Sequence, residues 1–294
     1  MSAYAWSLLT DRYLLINHKK PCELTNFFEP NEHDWNFNLN QYDRSKAENL
    51  WKIDNEKFRT DLEFYTNFNS TAPFISIKNN LDWLEPLSKN KFLERKINSL
   101  GFKPNKFKIQ FLFREWYQKL FKLNSRLQTQ YHSFLNSIKL KKKNKQTKLV
   151  CAQVRIGGAR EFVSHDAPFT DIKNSQIYWN YIKNNFTHNN NYNVFLTTDT
   201  RKLESEGTNE FGKDRVIIND GINAHLDRET NCVNVDKTFL DFHSLQNCDM
   251  AIISESGFGK LGCWNRLKPN DNLVMFSKKQ EIVIKKSADD LFIL

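Results

Sequence analysis

The feature that most constrains the fold is the regular alternation of apolar strands and helices in the second half of the chain. Short apolar runs rich in β-branched residues predict strands at 148–156, 193–198, 215–219, 249–254 and 272–277. Helical patterns lie between these runs. Strands that are apolar on both faces are typical of a parallel sheet with helices on each side. The second half therefore predicts a doubly wound α/β domain.

The first half has a less regular pattern. It predicts a helix at 3–10, strands at 13–16 and 73–78, and mostly helical segments at 91–100 and 105–138. Aromatic residues at helical spacing around Trp116 indicate a packed core rather than a cofactor-binding surface. A doubly wound domain normally begins with a strand and a glycine-bearing turn, whereas this chain begins at a helix. We therefore expect the first domain to be truncated at its N-terminus.

Charge is distributed unevenly along the chain. The net charge is +9, from 43 Lys and Arg against 34 Asp and Glu, and the basic excess lies in the first half. A dense lysine cluster ends that half: Lys139, Lys141, Lys142, Lys143, Lys145 and Lys148. Nucleic-acid sites favour arginine, so we interpret the cluster as a solvated linker at 141–148, with a polyanion-binding patch as the alternative. The predicted domains are then 1–140 and 149–294, and no nucleic-acid partner is expected.

Cysteine spacing and hydropathy bear on cofactors and compartment. The 5 cysteines form no CxxC pair and no Cys/His cluster with the spacing of a zinc site, so we expect no metal. No apolar run predicts a membrane span, and Met1 is not followed by a signal-peptide pattern. Sequons at Asn69 and Asn185 suit a secretory lumen, but an asparagine-rich chain produces sequons by chance. Composition alone leaves the compartment open.

Polar side chains follow three strands of the second half, at the edge where open α/β sheets bind ligands. Gln153 and Arg155 alternate with apolar residues at the first strand end, and Gly157 follows them. An arginine held there can bind a phosphate with two parallel hydrogen bonds, and glycine lets a bulky anion approach the backbone. Pairing of Arg155 with a carboxylate is the structural alternative.

The other two strand ends carry hydroxyl groups and glycines. Thr198 and Asp199 close the second strand, where capping of the next helix is the simpler interpretation. The third strand end runs into a helix start that contains Ser254, Ser256, Gly257 and Phe258. Free N–H groups and hydroxyls at a helix start can hold a phosphate. The segment GFGKLG at 257–262 also matches a dinucleotide fingerprint, although no acidic residue follows the next strand.

Four short motifs follow one another along the second half of the chain: QVRIGG at 153–158, TTD at 197–199, DFHSLQNCD at 241–249 and SESGFG at 254–259. The first half adds AYAWSLLTDRYLLI at 3–16, PCEL at 21–24 and LFKL at 120–123. Together these motifs resemble the GDP-fucose-dependent fucosyltransferases of GT-B fold. The resemblance implies two Rossmann-like domains facing a cleft. The first would bind the glycan acceptor and the second the GDP-sugar.

The resemblance also implies a reaction. Fucose would pass from GDP-fucose to a glycan hydroxyl with inversion and without a metal, in the Golgi or another secretory compartment. Arg155 would hold the β-phosphate and stabilise the leaving GDP. Gln153 would lie beside the guanine, and Asp241 would bind the guanine N–H edge. The phosphate-binding turn would comprise Ser254, Ser256 and Gly257.

The catalytic base is the least constrained part of this prediction. Asp166, in the loop after Arg155, is our predicted base for the acceptor hydroxyl, and Glu161 and His165 are its rivals. A turn aspartate before Pro168 is the structural alternative. Two other functions stay open: an NAD(P)-dependent oxidoreductase that uses the GFGKLG turn, and a non-catalytic relative that binds GDP or glycans. The sequence does not predict the acceptor, the linkage or the oligomeric state.

Overall fold

The computed structural model describes residues 1–38, 43–52, 55–142, 144, 146–157, 172–186, 191–224, 229, 231–277 and 282–285. The chain forms two compact units. Of the described residues, the first contains Met1–Asn17 and Pro30–Lys122, and the second contains His18–Glu29 and those from Leu123 to Lys285. Two short strands, β1 (Phe28–Pro30) and β4 (Phe121–Leu123), form a two-stranded sheet of their own.

The first unit is largely helical in its described part. Its helices are α1 (Ser2–Leu9), α2 (Glu56–Asp61), α3 (Leu84–Lys89), α4 (Glu94–Ser99) and α5 (Ile109–Leu120). Strands β2 (Ala47–Trp51) and β3 (Phe74–Lys78) form a two-stranded parallel sheet. Helix α5 buries the stripe that includes Trp116, as its helical spacing predicts.

Two expectations for the first unit differ from the structure. Residues 13–16 do not form a strand; the Ile16 N–H instead donates a single hydrogen bond to the Trp35 carbonyl. An apolar run forms a strand only when a neighbouring strand pairs with it, and none of the described strands pairs with residues 13–16. The predicted helix at 105–138 is interrupted by β4, which coincides with the LFKL motif.

The second unit contains a six-stranded sheet of order β10-β9-β8-β5-β6-β7. Its strands are β5 (Lys148–Val154), β6 (Tyr192–Thr198), β7 (Val216–Ile217), β8 (Met250–Ser254), β9 (Leu273–Phe276) and β10 (Ile282–Lys285). All neighbouring pairs are parallel except β10 with β9. The helices are α6 (Ser125–Lys141), α7 (Gln176–Phe186), α8 (Arg201–Phe211), α9 (Asp236–Ser244) and α10 (Gly257–Trp264). The predicted parallel α/β layout is confirmed.

Both faces of this sheet are covered by helices. On one face, Leu196 of β6 belongs to a core cluster with Trp179 of α7 and Leu203 of α8. On the other face, Phe195 of β6 packs edge-on against Phe134 of α6, with ring centroids 4.9 Å apart. Successive strand residues point to opposite faces, which explains why the strands are apolar without interruption.

An N-terminal segment completes the second unit. Cys22 is bonded to Cys232, and the ring of Phe27 lies 4.4 Å from that of Phe239 on α9. A second disulfide joins Cys151 of β5 to Cys248, which precedes β8. The Cα separations of 5.6 and 5.7 Å lie in the usual disulfide range. Residues 18–29 therefore belong to the second unit although they come early in the chain.

The boundary between the units differs from the predicted linker at 141–148. The chain enters the second unit at Leu123, before α6. Helix α6 buries Phe134 against the sheet, and Lys141 donates hydrogen bonds of 2.6 Å to the carbonyls of Lys213 and Val216. Lysines near the end of α6 therefore lie within the second unit, where Lys141 is a packing residue rather than part of a solvated linker.

Candidate functional site

The end of β5 is held by a buried hydroxyl group. The Arg155 N–H donates to Ser254 Oγ at 2.8 Å, and Ser254 Oγ donates to the Gln153 carbonyl at 3.3 Å. Tyr178 Oη lies 2.9 Å from Ser254 Oγ, and burial raises the pKa of Tyr178 to about 12. Ser254 is fully buried, and protein groups use its hydroxyl. We expected Ser254 on a phosphate-binding turn; its position instead fixes the backbone of Arg155.

The turn after β5 is shaped by Asp199. Its carboxylate accepts hydrogen bonds from the N–H groups of Ile156 at 3.0 Å and Gly157 at 2.8 Å. Gly157 has φ of 67°, in the left-handed region that favours glycine. The N-cap of α8 is Thr200, whose hydroxyl accepts from the Lys202 N–H. Asp199 is thus not the predicted cap. Both of its carboxylate oxygens bind backbone N–H groups, and they hold the backbone of Ile156 and Gly157 after Arg155.

Thr198 differs from its neighbours because its hydroxyl is unused. The residue is 8% exposed, and its Oγ1 has no hydrogen-bond partner among the described residues. Thr198 of β6 lies opposite Val154 of β5, and Val154 is the residue directly before Arg155. A buried polar group left unpaired costs about 1–3 kcal/mol. Among the described residues, the carboxyl edge of the sheet therefore carries one hydroxyl that no protein group uses, on the strand next to the one that ends at the candidate arginine.

The start of α10 packs directly on β5. Ser256 is the N-cap, because its Oγ accepts from the Gly259 N–H at 3.2 Å and donates to Gln153 Oε1 at 3.2 Å. Gln153 is 4% exposed and lies beneath the helix, rather than at the surface where we expected it beside a guanine. Gly257 and Phe258 are the first residues of α10, so their N–H groups have no intrahelical partner. Those two groups fit the predicted anion-binding role.

Two glycines of the GFGKLG segment serve packing. A Cβ on Gly259 would lie 2.3 Å from Gln153 Oε1, and one on Gly262 would lie 2.5 Å from Leu245 Cδ1. Close approach of the helix to its neighbours requires glycine at both positions. The match to a dinucleotide fingerprint thus has a structural cause, and it gives no support to an oxidoreductase.

We predict that Gly259→Ala destabilises the second unit by about 1–3 kcal/mol, the usual cost of overpacking. Removing the Gln153 amide should relieve much of the clash, so Gly259→Ala with Gln153→Ala should cost less than the sum of the single changes. Urea unfolding of the four proteins in this cycle measures the coupling. Simple additivity would contradict the close contact between α10 and β5.

Asp241 lies in a buried polar network. Its carboxylate accepts hydrogen bonds from Thr197 Oγ1 at 2.8 Å, Asn219 Nδ2 at 2.9 Å and Lys237 Nζ at 2.7 Å. Lys237 Nζ also lies 3.3 Å from Glu204 Oε1. Burial alone would lower the pKa of Lys237, but the carboxylates of Asp241 and Glu204 outweigh it and raise the pKa.

This network changes the role we predicted for Asp241. The residue is 3% exposed, and protein donors occupy most of its acceptor sites, so it braces the sheet edge rather than presenting a free carboxylate to guanine. Lys237 and Asn219 are functional-site neighbours that the motifs in the sequence do not single out. Lys237 and Asp241 are four residues apart on one helix, and residues at that spacing lie next to each other. This spacing is the one sequence pattern that indicates their ion pair.

Part of the predicted site lies outside the described residues. Asp166 and its rivals Glu161 and His165 fall there, so the base stays a prediction. In the described part of the chain, no group of His, Cys, Asp and Glu side chains is arranged to hold a metal ion. No helix in that part is long and apolar enough to cross a membrane.

Comparison of folds identifies a class of protein with this architecture. No protein-family model and no curated protein sequence matches the chain. By structure, the chain is similar to fucosyltransferases, which confirms the predicted α/β, GT-B-like fold class.

The similar structures include nucleotide complexes. A mutant of Arabidopsis thaliana FUT1 in complex with GDP has a TM-score of 0.63 and 14% identity; the match covers 94% of this chain and 66% of that one. The α-1,6-fucosyltransferase NodZ soaked with GDP-fucose has a TM-score of 0.55 and 14% identity, covering 97% and 93%. NodZ from Bradyrhizobium has a TM-score of 0.56 and 14% identity, covering 97% and 92%. At this identity the likeness establishes the fold.

Proposed function

We propose that this protein is an inverting fucosyltransferase that transfers fucose from GDP-fucose to a glycan hydroxyl. The observation that carries the proposal is the carboxyl edge of the sheet, where Arg155 follows Val154, the strand partner of Thr198. Within the described part of the chain, the Thr198 hydroxyl has no hydrogen-bond partner. The same edge carries the N–H groups of Gly257 and Phe258 at the start of α10, which have no partner within the helix. Its fold is that of structures solved with GDP or GDP-fucose, which supports a GDP-sugar as the donor.

The chemistry follows from how negative charge develops. When the bond between fucose C1 and the β-phosphate oxygen breaks, the electron pair stays on GDP. A guanidinium group and fixed N–H donors stabilise that charge without a metal. Arg155 would supply the guanidinium, and the backbone N–H groups of Gly257 and Phe258 would donate to the diphosphate. Gly157, which has no side chain, would leave room for it. Ser254 and Asp199 act one step away, since they fix the backbone that carries Arg155 and Gly157.

The acceptor hydroxyl must lose its proton as it attacks C1 from the face opposite the GDP. We propose that the Asp166 carboxylate takes this proton, so that the new C1–O bond forms as the C1–phosphate bond breaks. Glu161 and His165 stay as rivals for this role. All three candidate residues come within eleven positions after Arg155 in the sequence, which would place the base close to the donor.

The compartment we propose is the secretory lumen. Two disulfides in the second unit, Cys22–Cys232 and Cys151–Cys248, support an oxidising environment, because such bonds are rare in the reducing cytosol. This agrees with the compartment that the family resemblance implies.

The proposal is tested by titrating GDP into the full chain and by following GDP release from GDP-fucose with a panel of glycans. We expect GDP binding and acceptor-dependent turnover. Asp166→Asn should lower turnover by at least about 100-fold while GDP affinity is unchanged, as expected for loss of a general base. Asp214→Asn, a change in an exposed residue before β7, is the matched control.

Each remaining outcome selects another function. A protein that binds GDP but shows neither turnover with any glycan nor hydrolysis of the donor would be a non-catalytic relative. Protection against heating by NAD(P), where GDP gives none, would identify a dinucleotide-binding protein. Full turnover in Asp166→Asn would move the base to Glu161 or His165.

A further inference from the structure

The loop between α2 and β3 carries the sequon Asn69-Ser70-Thr71, which the proposed transfer reaction does not use. The Asn69 side chain is exposed and forms no hydrogen bond among the described residues. Its amide nitrogen is therefore accessible in the folded first unit. An exposed sequon in a surface loop is the usual acceptor for an N-linked oligosaccharide.

The backbone next to Asn69 is firmly held. Arg12 donates to the Ser70 carbonyl at 2.5 Å and to the Ala72 carbonyl at 2.8 Å. The Ser70 hydroxyl donates to a Glu48 carboxylate oxygen and accepts from the Ala72 N–H at 3.1 Å. These contacts use Ser70 and Ala72 but leave the Asn69 amide out. A sugar on Asn69 would extend from the loop without breaking any of them.

The second sequon, at Asn185, has a different setting. Asn185 lies in the last turn of α7, and its Nδ2 donates to the Tyr181 carbonyl at 2.8 Å. The nitrogen that would receive a sugar is thus already engaged with the helix. The local structure therefore favours Asn69 over Asn185.

The disulfides provide an independent indication. Two disulfide bonds in the second unit favour folding in an oxidising compartment, where N-linked transfer also takes place. We propose that Asn69 is the single N-glycosylation site of this protein. Its amide nitrogen displaces the diphosphate of a lipid-linked oligosaccharide, so a C1–N bond forms and the C1–O bond to the diphosphate breaks. The amide loses one proton, and the lipid diphosphate leaves with the electron pair.

The test expresses the full chain behind a secretion signal in a eukaryotic cell and measures intact mass before and after peptide N-glycosidase treatment. We expect one enzyme-sensitive glycan on the wild type and on Asn185→Gln. It should be absent from Asn69→Gln and from Thr71→Ala, which keeps the asparagine but removes the sequon hydroxyl. Because Asn69 is exposed and unbonded, Asn69→Gln should be secreted at the wild-type yield.

Three results would overturn the assignment: an unglycosylated wild type, a glycan that persists in Asn69→Gln, or a second glycan lost in Asn185→Gln. The readout is mass alone, so the outcome is separate from that of the transferase assay. GDP binding by the same secreted samples reports on the proposed function independently.

Discussion

Lys237→Met is expected to lower the free energy of unfolding by about 3–5 kcal/mol, because it leaves the buried Asp241 carboxylate and the partly buried Glu204 carboxylate without their cation. Lys237 is 2% exposed and pairs with both Asp241 and Glu204. Methionine keeps much of the aliphatic length, so the loss comes from charge rather than from a cavity. Chemical unfolding monitored by tryptophan fluorescence measures the change.

A matched control separates this effect from the loss of any lysine. Lys202 is exposed at the start of α8, and Lys202→Met should change stability by no more than about 0.5 kcal/mol. The pH dependence gives a second check. The pKa of Lys237 is raised, so its stabilising contribution is fully present below the unfolded value of 10.5 and is lost only as pH rises beyond it. A loss below about 1 kcal/mol at neutral pH would contradict a closed Lys237–Asp241–Glu204 network.

Arg155→Ala is expected to weaken GDP binding by at least about tenfold, since a hydrogen bond to a charged group contributes about 1.5–3 kcal/mol. Turnover should fall further, by about 100- to 1000-fold, because the donor acts most strongly on charge that develops as GDP leaves. Arg155→Lys should retain part of the affinity but lose the paired geometry of the guanidinium. Calorimetry with GDP and initial-rate measurements give the two quantities.

Arg215 provides the control for this change. It lies at the opposite edge of the sheet, before β7, with its guanidinium 5.1 Å from the centroid of the Tyr192 ring. Arg215→Ala should leave GDP affinity unchanged even if it lowers stability. Equal affinity for GDP in wild type and Arg155→Ala would remove the basis of the proposed donor site.

The sequence predicted what depends on local patterns. Apolar runs located β5, β6, β8 and β9, because buried parallel strands need apolar residues on both faces. The polar strand ends predict a donor site at the edge that carries Arg155 and Thr198, and this assignment stays a prediction. The strand predicted at 13–16 was wrong, since an apolar run carries no information about whether a partner strand is available.

The remaining features depend on contacts between residues far apart in the chain. The alternation of polar and apolar residues predicts that Gln153 and Arg155 point to the same face of the strand. No local pattern shows that the start of α10 covers Gln153. Asp241 resembles a base-reading carboxylate in sequence, whereas Thr197, Asn219 and Lys237 converge on it only after the sheet has formed. The start of the second unit was missed for the same reason. A boundary drawn from charge cannot detect an early segment that packs on α9.

That early segment has a consequence for how the protein is made. The second unit needs Cys22 and Phe27 from the start of the chain and Cys232 and Phe239 from more than two hundred residues later, as the disulfide separation of 210 records. Contacts of such long sequence separation slow folding, because a large loop must close before they form. On the ribosome the segment must wait unpaired until α9 has emerged. A fragment that begins at Leu123 would lack residues 18–29, which belong to the second unit. Truncation at a single position in the chain therefore cannot separate the two units.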